Sequence, residues 1–127
     1  MQMSFFFLTT AGLSKKLELN KLDEFIMMMA ALCHDLGHDG FTNGYHVNAF
    51  TKRSILSNDI SVQETYHVSK MFEILSQPNC NFTENFTKEE FKVFRMRTIG
   101  LILATDMAKH MDDMSQLKAL LETEEIS

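Results

Sequence analysis

Proline and glycine, the residues that most often mark sharp turns, are scarce in this chain: its 127 residues include one proline and five glycines. An all-β sandwich or barrel needs such residues at nearly every corner. Hydrophobic residues make up 45% of the sequence, which is enough apolar mass for the core of one domain, or of a piece of a larger one. The sequence therefore predicts an all-α fold, a helical bundle in which any strand is minor.

Helix-capping signals mark where the main helices begin. Asn20, Ser61 and Thr87 are each followed, three residues later, by an acidic residue, which is the pattern of a capping box. Apolar residues then recur at steps of three and four, the spacing of one helix face. The last helix is either continuous or kinked near Thr105. We expect helices over residues 2–17, 20–35, 43–50, 61–76 and 87–121.

The charge and the cysteine content narrow the choice of partners and compartment. Twelve basic residues against 17 acidic ones give a net charge of −5, which argues against nucleic acid or an anionic membrane surface as a main partner. The apolar run at residues 5–8 is far too short to span a bilayer, so we expect no membrane segment. Cys33 and Cys80 are most simply reduced thiols, which favours a cytoplasmic location.

The chemically densest segment is H-D-L-G-H at residues 34–38, where an apolar helix is expected to meet a glycine-rich loop. A carboxylate is costly at a buried helix end, and ligation of a divalent metal by imidazole and carboxylate removes that cost. The plainer interpretation, without a metal, is that these polar groups cap the end of the helix and that the histidine is hydrogen-bonded within the fold. A zinc-protease helix, H-E-x-x-H, is a poor match because Asp35 replaces the glutamate and Gly37 weakens the helix. His46 and His110 lack a partner at ligand spacing, so we expect surface or loop positions for both.

Four stretches share their order and spacing with a known family. The most specific are the H-D-x-x-H-x-G-x-x-N string that starts at His34 and the L-A-T-D-M string that starts at Leu103. On these grounds the chain resembles the class I cyclic-nucleotide phosphodiesterases, metal-dependent members of the HD superfamily, over nearly its whole length. The matching stretches are residues 31–40 with Asn43, 58–64 with His67, 72–75 and 102–110.

The resemblance implies a site with two divalent metals, Zn²⁺ and Mg²⁺ or Mn²⁺. His34 resembles a histidine ligand of the tightly held metal, and Asp35 resembles the carboxylate that touches both metals. His38, Glu64 and Thr105 are similar to groups that hold the metal-bound waters. The further pocket positions that the resemblance implies are Asn43, His67, Asp106 and Met107.

Three positions depart from the family pattern. Gly37 and Asp39 stand where the family usually carries an acidic residue and a proline, and Tyr66 replaces the first histidine of a usual pair. The family's H-N-x-x-H motif, which supplies the general acid and the first metal histidine, belongs upstream of Met1, so no residue present here is expected to be the general acid. The last metal aspartate and the purine-binding glutamine belong beyond Ser127.

The resemblance therefore implies that residues 1–127 form a partial catalytic domain, lacking its N-terminal and C-terminal parts, with two of the four expected metal ligands. The parent protein is expected to hydrolyse a 3′,5′-cyclic nucleotide, cAMP or cGMP, to the 5′-monophosphate in cyclic-nucleotide signalling. The chain alone is expected to be inactive and to expose an apolar face that the missing parts, or a partner, cover. Two alternatives stay open: an inactive regulatory or interaction module that keeps the fold, and an HD-type hydrolase of another phosphate ester.

Overall fold

The computed structural model describes residues 1–124, and its regular structure is helical, which confirms the all-α prediction. No strand occurs in these residues, and none of the helices has both the length and the apolar character needed to cross a membrane. The elements are α1 (Gln2–Thr9), α2 (Leu13–Lys16), α3 (Lys21–Cys33), α4 (Asn43–Asn48), α5 (Lys52–Ser57), α6 (Val62–Leu75), α7 (Lys88–Leu103), a 3-10 helix (Met107–Lys109) and α8 (His110–Glu124).

Two of the three expected capping boxes are present. Asn20 Oδ1 accepts a hydrogen bond from the backbone N–H of Asp23 at 2.9 Å, and the Asp23 carboxylate accepts one from the N–H of Asn20. Thr87 and Glu90 bond in the same reciprocal way at the start of α7. These bonds satisfy backbone donors that a helix start leaves without partners.

The third capping box, at Ser61, is absent, and that prediction is wrong. Ser61 has a left-handed backbone, with φ of 44°, and its side chain makes no cap bond to α6. Its hydroxyl instead donates to Asp106 Oδ2 at 2.7 Å, while the carboxylate of Glu64 accepts a hydrogen bond from Asn43. The S-x-x-E motif does stand at a helix start, but tertiary contacts use both of its side chains.

Two of the predicted helices are broken into shorter ones. The helix expected over 2–17 is divided at Gly12, whose φ of 73° is a left-handed conformation that glycine adopts at little cost. The helix expected over 87–121 ends at Leu103 and resumes after Thr105, in agreement with the kinked alternative. The break places Thr105 at a corner rather than inside a helix.

Helix α5 was not expected from the sequence. The helix predicted over 43–50 ends at Asn48, and α5 begins two residues after Phe50. Thr51 is the N-cap of α5 and accepts a hydrogen bond from the backbone N–H of Ser54 at 3.3 Å. Threonine at an N-cap was the available signal, but a helix of six residues is too short to show an apolar period.

The core forms where α3, α6 and α7 pack together. Phe94 of α7 is fully buried, and the rings of Phe25 and Phe72 each lie 6.0 Å from its ring, one stacked and one edge to face. Ile26 of α3 and Ile102 of α7 belong to the same buried cluster. The residues that follow α3 are therefore attached to the best-packed part of the molecule.

Large apolar side chains are exposed at both ends of the described chain. Phe5, Phe6 and Phe7 of α1 are each about half exposed. Met111 and Leu117 of α8 are exposed as well, to 73% and 50%. These positions agree with the expected exposed apolar face, and what covers that face stays a prediction.

Candidate metal centre

The end of α3 places His34 and Asp35 next to each other. The buried residues Ile26, Ala30 and Cys33 fix one face of α3 in the core, and His34 follows directly as the C-cap residue. The side chains of His34 and Asp35 are 45% and 67% exposed, so both are open to a ligand from solvent. The structure thus brings the two predicted metal ligands together at the surface.

The hydrogen bond of His34 fixes which ring nitrogen is free. Its Nδ1 lies 3.0 Å from the carbonyl oxygen of Ala31, which can only accept, so Nδ1 carries the proton. In the neutral ring Nε2 then holds a lone pair, and Nε2 lies 3.2 Å from Asp35 Oδ2. Metal-binding histidines are commonly oriented in this way by a backbone carbonyl.

His34 Nε2 and Asp35 Oδ2 lie close enough to share a cation, which is either a metal ion or the second proton of an imidazolium ring. Metal–ligand bonds of about 2.1 Å would place neighbouring nitrogen and oxygen ligands about 3.0 Å apart at a right angle and about 3.4 Å apart at the tetrahedral angle. The separation between His34 Nε2 and Asp35 Oδ2 lies between these values. The donor set and its spacing therefore fit a divalent metal.

His38, in the loop after α3, and His67 of α6 form a stacked pair of rings. Their centroids lie 5.5 Å apart with an interplanar angle of 24°. His38 Nδ1 accepts a hydrogen bond from the N–H of Gly40 at 2.9 Å, so the neutral His38 ring carries its proton on Nε2. The ring can therefore donate a hydrogen bond from Nε2.

His67 is almost completely buried, with 1% of its surface exposed. Its Nδ1 donates to the carbonyl oxygen of Leu36 at 2.8 Å. Burial lowers the pKa of His67, and it outweighs the hydrogen bond to Leu36 and the charge of Asp35, which raise the pKa. His67 is therefore neutral at pH 7, and it holds the backbone of the loop that carries the candidate ligands.

Asn43 connects this loop to the first turn of α6. Its Nδ2 donates to Glu64 Oε2 at 2.9 Å, and its Oδ1 accepts from the backbone N–H of Gln63 at 2.8 Å. Asn43 is the first residue of α4, so the two bonds join the start of α4 to the start of α6. They also fix the orientation of the Glu64 carboxylate.

Thr105 and His34 line the same cavity, which has a volume of about 270 Å³. Its hydroxyl donates to the carbonyl oxygen of Ile102 at 2.7 Å, which leaves the oxygen lone pairs available as acceptors. The break after α7 thus brings Thr105 to the same cavity as the candidate ligand His34, although 71 positions separate them in the sequence. The other residues around the cavity are Met1, Ser4, Met27, Ala30, Ala31 and Leu101.

Asp106 and Met107 follow Thr105 but point to different surroundings. Asp106 is 8% exposed, and its two oxygens accept hydrogen bonds from the Ser61 hydroxyl and from the N–H of Ala108. Met107 is 72% exposed. The structure therefore uses the Asp106 carboxylate inside the fold, and a role for either residue on the wall of a substrate pocket stays a prediction.

The prediction for His46 is wrong, whereas His110 is exposed as expected. His46 is 3% exposed, with Nδ1 at 3.0 Å from Thr51 Oγ1 and Nε2 at 3.3 Å from Asp39 Oδ1. Asp39 lies in the loop after α3, so the contact forms only once that loop folds onto α4. The only nearby hydrogen-bond partner of the His46 ring in the sequence is Thr51, the N-cap residue of α5, five positions after His46.

Asp39 is the centre of a polar network that the sequence did not reveal. Burial raises the pKa of this carboxyl, but hydrogen bonds from Gln63, from the backbone of Phe41 and from His46 lower it more. The charge of Arg53 adds to them, and the pKa of Asp39 falls from 3.8 to about 2. Asp39 is therefore an anion at any physiological pH.

Residues 1–124 contain no group of three or more histidine, cysteine, aspartate or glutamate side chains placed to hold a metal ion. His34 and Asp35 are two potential ligands, and neither His38 nor Glu64 joins them in such a group. This part of the chain thus supplies a pair of ligands and their supporting contacts.

Comparison with known proteins extends the motif evidence. The family model for 3′5′-cyclic nucleotide phosphodiesterases matches residues 1–127. The chain is 44% identical over 103 residues to the human high affinity cGMP-specific 3′,5′-cyclic phosphodiesterase 9A, a match that covers 81% of this chain and 17% of that protein. It is 41% identical over 100 residues to the dual 3′,5′-cyclic-AMP and -GMP phosphodiesterase beta of Plasmodium falciparum, covering 79% of this chain and 9% of that protein.

A solved structure agrees with this relationship. The phosphodiesterase domain of the RhoPDE fusion protein from the choanoflagellate Salpingoeca rosetta superposes with a TM-score of 0.76 at 40% sequence identity. The match covers 80% of this chain and 32% of that domain's chain. The chain belongs to the 3′5′-cyclic nucleotide phosphodiesterase family. It spans about a fifth of the length of its mammalian relatives, 17% of the human protein and 22% of the mouse protein.

Proposed function

We propose that the whole protein hydrolyses a 3′,5′-cyclic nucleotide to the 5′-monophosphate, and that His34 and Asp35 are two of its metal ligands. Family membership supports the reaction class. The observation that carries the assignment of residues is the 3.2 Å contact between His34 Nε2 and Asp35 Oδ2, whose spacing fits two ligands of one metal. The cyclic nucleotide is cAMP or cGMP, both of which appear in the names of the relatives.

The metals of this site are proposed to be Zn²⁺ with Mg²⁺ or Mn²⁺, since neutral imidazole suits zinc and carboxylate suits the harder cations. His34 would hold the zinc through Nε2, because Nδ1 is bonded to Ala31. The Asp35 side chain is 67% exposed, and its carboxylate would help to hold both cations. When bound, such cations polarise phosphoryl oxygens and lower the pKa of a water.

The residues around His34 and Asp35 would bind and orient a water molecule. His38 can donate a hydrogen bond from Nε2 because its Nδ1 accepts from Gly40. Glu64, held by Asn43, presents a carboxylate that accepts a hydrogen bond. Thr105 offers its oxygen lone pairs in the cavity that it shares with His34. Together they would position a water for in-line attack on the cyclic phosphate.

Further parts of the same domain, outside residues 1–127, are proposed to supply the remaining metal ligands and the general acid that protonates the 3′ oxygen as it leaves. The exposed rings of α1 and side chains of α8 would pack against those parts. A reducing compartment, the cytoplasm, is proposed because Cys33 and Cys80 are free thiols, and burial raises the pKa of the Cys33 thiol.

The test uses the full-length protein with zinc and magnesium, and chromatography follows cAMP and cGMP separately. We expect turnover of at least one nucleotide, and we expect His34→Ala and Asp35→Asn to abolish it and to lower the bound metal measured by mass spectrometry. Matched controls are His110→Ala and Asp112→Asn, because both side chains are exposed near the start of α8 and neither is a proposed site residue.

Any outcome that differs from the expected one would reject part of the proposal. Retained hydrolysis in Asp35→Asn would refute the ligand assignment. A wild-type protein that binds metal but hydrolyses neither nucleotide would favour an inactive regulatory module or a hydrolase of another phosphate ester. A panel of phosphate monoesters and diesters then distinguishes these two.

A further inference from the structure

The amino-acid composition of the loop that carries the candidate ligands does not make the loop rigid. Residues 34–42 connect α3 to α4, and they include Gly37 and Gly40, with φ of 72° and 87°. Glycine has more accessible backbone conformations than any other residue, so such a loop needs contacts from outside to hold one geometry. A metal centre needs one geometry, since displacements of about 1 Å can cost about 10²-fold in activity.

One side chain, Arg53 of α5, bonds this loop at two points. Its Nη2 donates to the carbonyl oxygen of Gly37 at 3.2 Å, and its Nη1 lies 3.3 Å from Asp39 Oδ2. The same Nη1 also donates to Gln63 Oε1. Gln63 is 3% exposed and donates to Asp39 Oδ1 at 2.7 Å, so Arg53 and Gln63 hold the two oxygens of that carboxylate.

Tyr66 of α6 completes the arrangement. The Arg53 guanidinium carbon lies 3.6 Å from the centroid of the Tyr66 ring, which is a close cation–π contact. A Cβ added to Gly37 would lie 3.0 Å from Tyr66 Cε1, so the ring closely covers this glycine. Gly37, Asp39 and Tyr66 are the three departures from the family pattern, and Arg53 contacts all of them.

We propose that Arg53 is a positioning residue for the candidate metal centre: it holds the backbone of the loop that carries His34 and His38 and thereby sets the metal affinity. This rests on the proposed function. Arg53 acts through the Gly37 carbonyl and the Asp39 carboxylate rather than on the substrate. Arginine suits the task because its planar fork donates in fixed directions and stacks on a ring, which lysine cannot reproduce.

The test compares Arg53→Met with Lys52→Met in the full-length protein. Both changes remove one positive charge from α5, but Lys52 is exposed. The zinc dissociation constant of metal-free protein is measured by titration against a chromophoric chelator. We expect it to rise about 10-fold or more in Arg53→Met, as for other residues that orient metal ligands, and to stay unchanged in Lys52→Met.

A second measurement does not depend on metal. The backbone N–H groups of Gly40 and Phe41 bond to the side chains of His38 and Asp39, so their hydrogen exchange reports on the loop. We expect faster exchange at both amides in metal-free Arg53→Met and unchanged exchange in Lys52→Met. With zinc limiting, kcat should fall in Arg53→Met, while the KM for cyclic nucleotide stays close to that of the wild type.

Equal zinc affinity in Arg53→Met and Lys52→Met would overturn the inference, whatever the hydrolysis assay gives. Zinc binding that depends on Arg53 in a protein without cyclic-nucleotide hydrolysis would support the positioning role and refute the proposed function. Should Arg53→Met fail to fold, Arg53→Lys replaces it, because lysine keeps the charge beside Asp39 but lacks the two separate nitrogens that bond Gln63 and Gly37 in fixed directions. Wild-type zinc affinity in Arg53→Lys would then overturn the inference.

Discussion

The Ser61 hydroxyl donates a 2.7 Å hydrogen bond to Asp106 Oδ2 and so joins two residues that lie 45 positions apart in the sequence. Both residues are buried, and Asp106 Oδ1 accepts a second bond from the N–H of Ala108. The pair fixes the corner after α7 to the start of α6. Thr105 precedes Asp106, and Glu64 follows Ser61 by one helical turn, so this bond links the two segments that carry these predicted pocket residues.

Replacement of Asp106 by alanine should destabilise the fold. The change leaves the buried Ser61 hydroxyl and the Ala108 N–H without their acceptor, which should lower the free energy of unfolding by about 1–3 kcal/mol. Urea titration measures it, with Asp113→Ala on exposed α8 as the control. Combined with Ser61→Ala, the loss should be clearly less than the sum of the single losses. Strict additivity would contradict the direct bond.

Asp39 should make stability depend on pH in the acid range. Its pKa is 3.8 without the fold and about 2 within it, so the folded protein favours the ionised form. The resulting stabilisation is complete above about pH 5 and is lost as the pH falls from about 4 through 2. Asp39→Asn lacks this contribution, so we expect the variant to be less stable at pH 7 and its difference from the wild type to shrink below pH 4.

Urea midpoints at pH 7, 5, 4 and 3 test this pH dependence. Asp112→Asn is the control because its carboxylate is exposed on α8, and it should stay close to the wild type at pH 7. A difference between Asp39→Asn and the wild type that stays constant from pH 7 to pH 3 would contradict the lowered pKa.

Thr98 offers a site for stabilisation. Its side chain is fully buried in α7, and its hydroxyl has no hydrogen-bond partner within residues 1–124. A buried hydroxyl without a partner costs free energy, so Thr98→Val should keep the shape and raise the free energy of unfolding by up to about 1 kcal/mol. Thr98→Ala removes the same hydroxyl but leaves a small cavity and should lower stability. Thermal unfolding of both variants is the measurement, and equal losses would contradict the interpretation.

The sequence was sufficient where the signal was local. Asn20 and Thr87 bond to residues three positions away, and both capping boxes formed as predicted. Ser61 carries the same local signal, yet its backbone is left-handed, its side chain makes no cap bond to α6, and its hydroxyl donates to the buried carboxylate of Asp106. A pattern of four residues cannot contain that contact.

The candidate site also has a local part that the sequence could predict and a long-range part that it could not. His34 and Asp35 are neighbours in the sequence, so their motif could be recognised and their 3.2 Å contact follows from the end of α3. The contacts of Arg53 reach residues 10, 14 and 16 positions away, on α6 and in the loop. Such contacts depend on how α5 packs against α6, and α5 itself was too short to be predicted.

The last prediction is that residues 1–127, purified alone, do not turn over cyclic nucleotide at a useful rate. Residues 1–124 hold no group of three potential metal ligands, and a two-metal site depends on several ligands in one geometry. The family's general acid is also not among the matched motifs, and its absence alone typically costs about 10²–10⁴-fold.

Weak zinc binding through His34 and Asp35 should survive in this isolated chain, because their contact needs only the end of α3. The assay adds zinc and magnesium and follows cAMP and cGMP by chromatography, with His34→Ala as the variant and His110→Ala as its control. Turnover in the range of ordinary enzymes, about 1–10³ s⁻¹, that is lost in His34→Ala and kept in His110→Ala would contradict the prediction. Since no group of three potential ligands occurs in the described residues, such turnover would imply that the missing ligands come from a second copy of the chain or from residues not recognised as ligands. With a second copy, the rate per chain would rise with protein concentration.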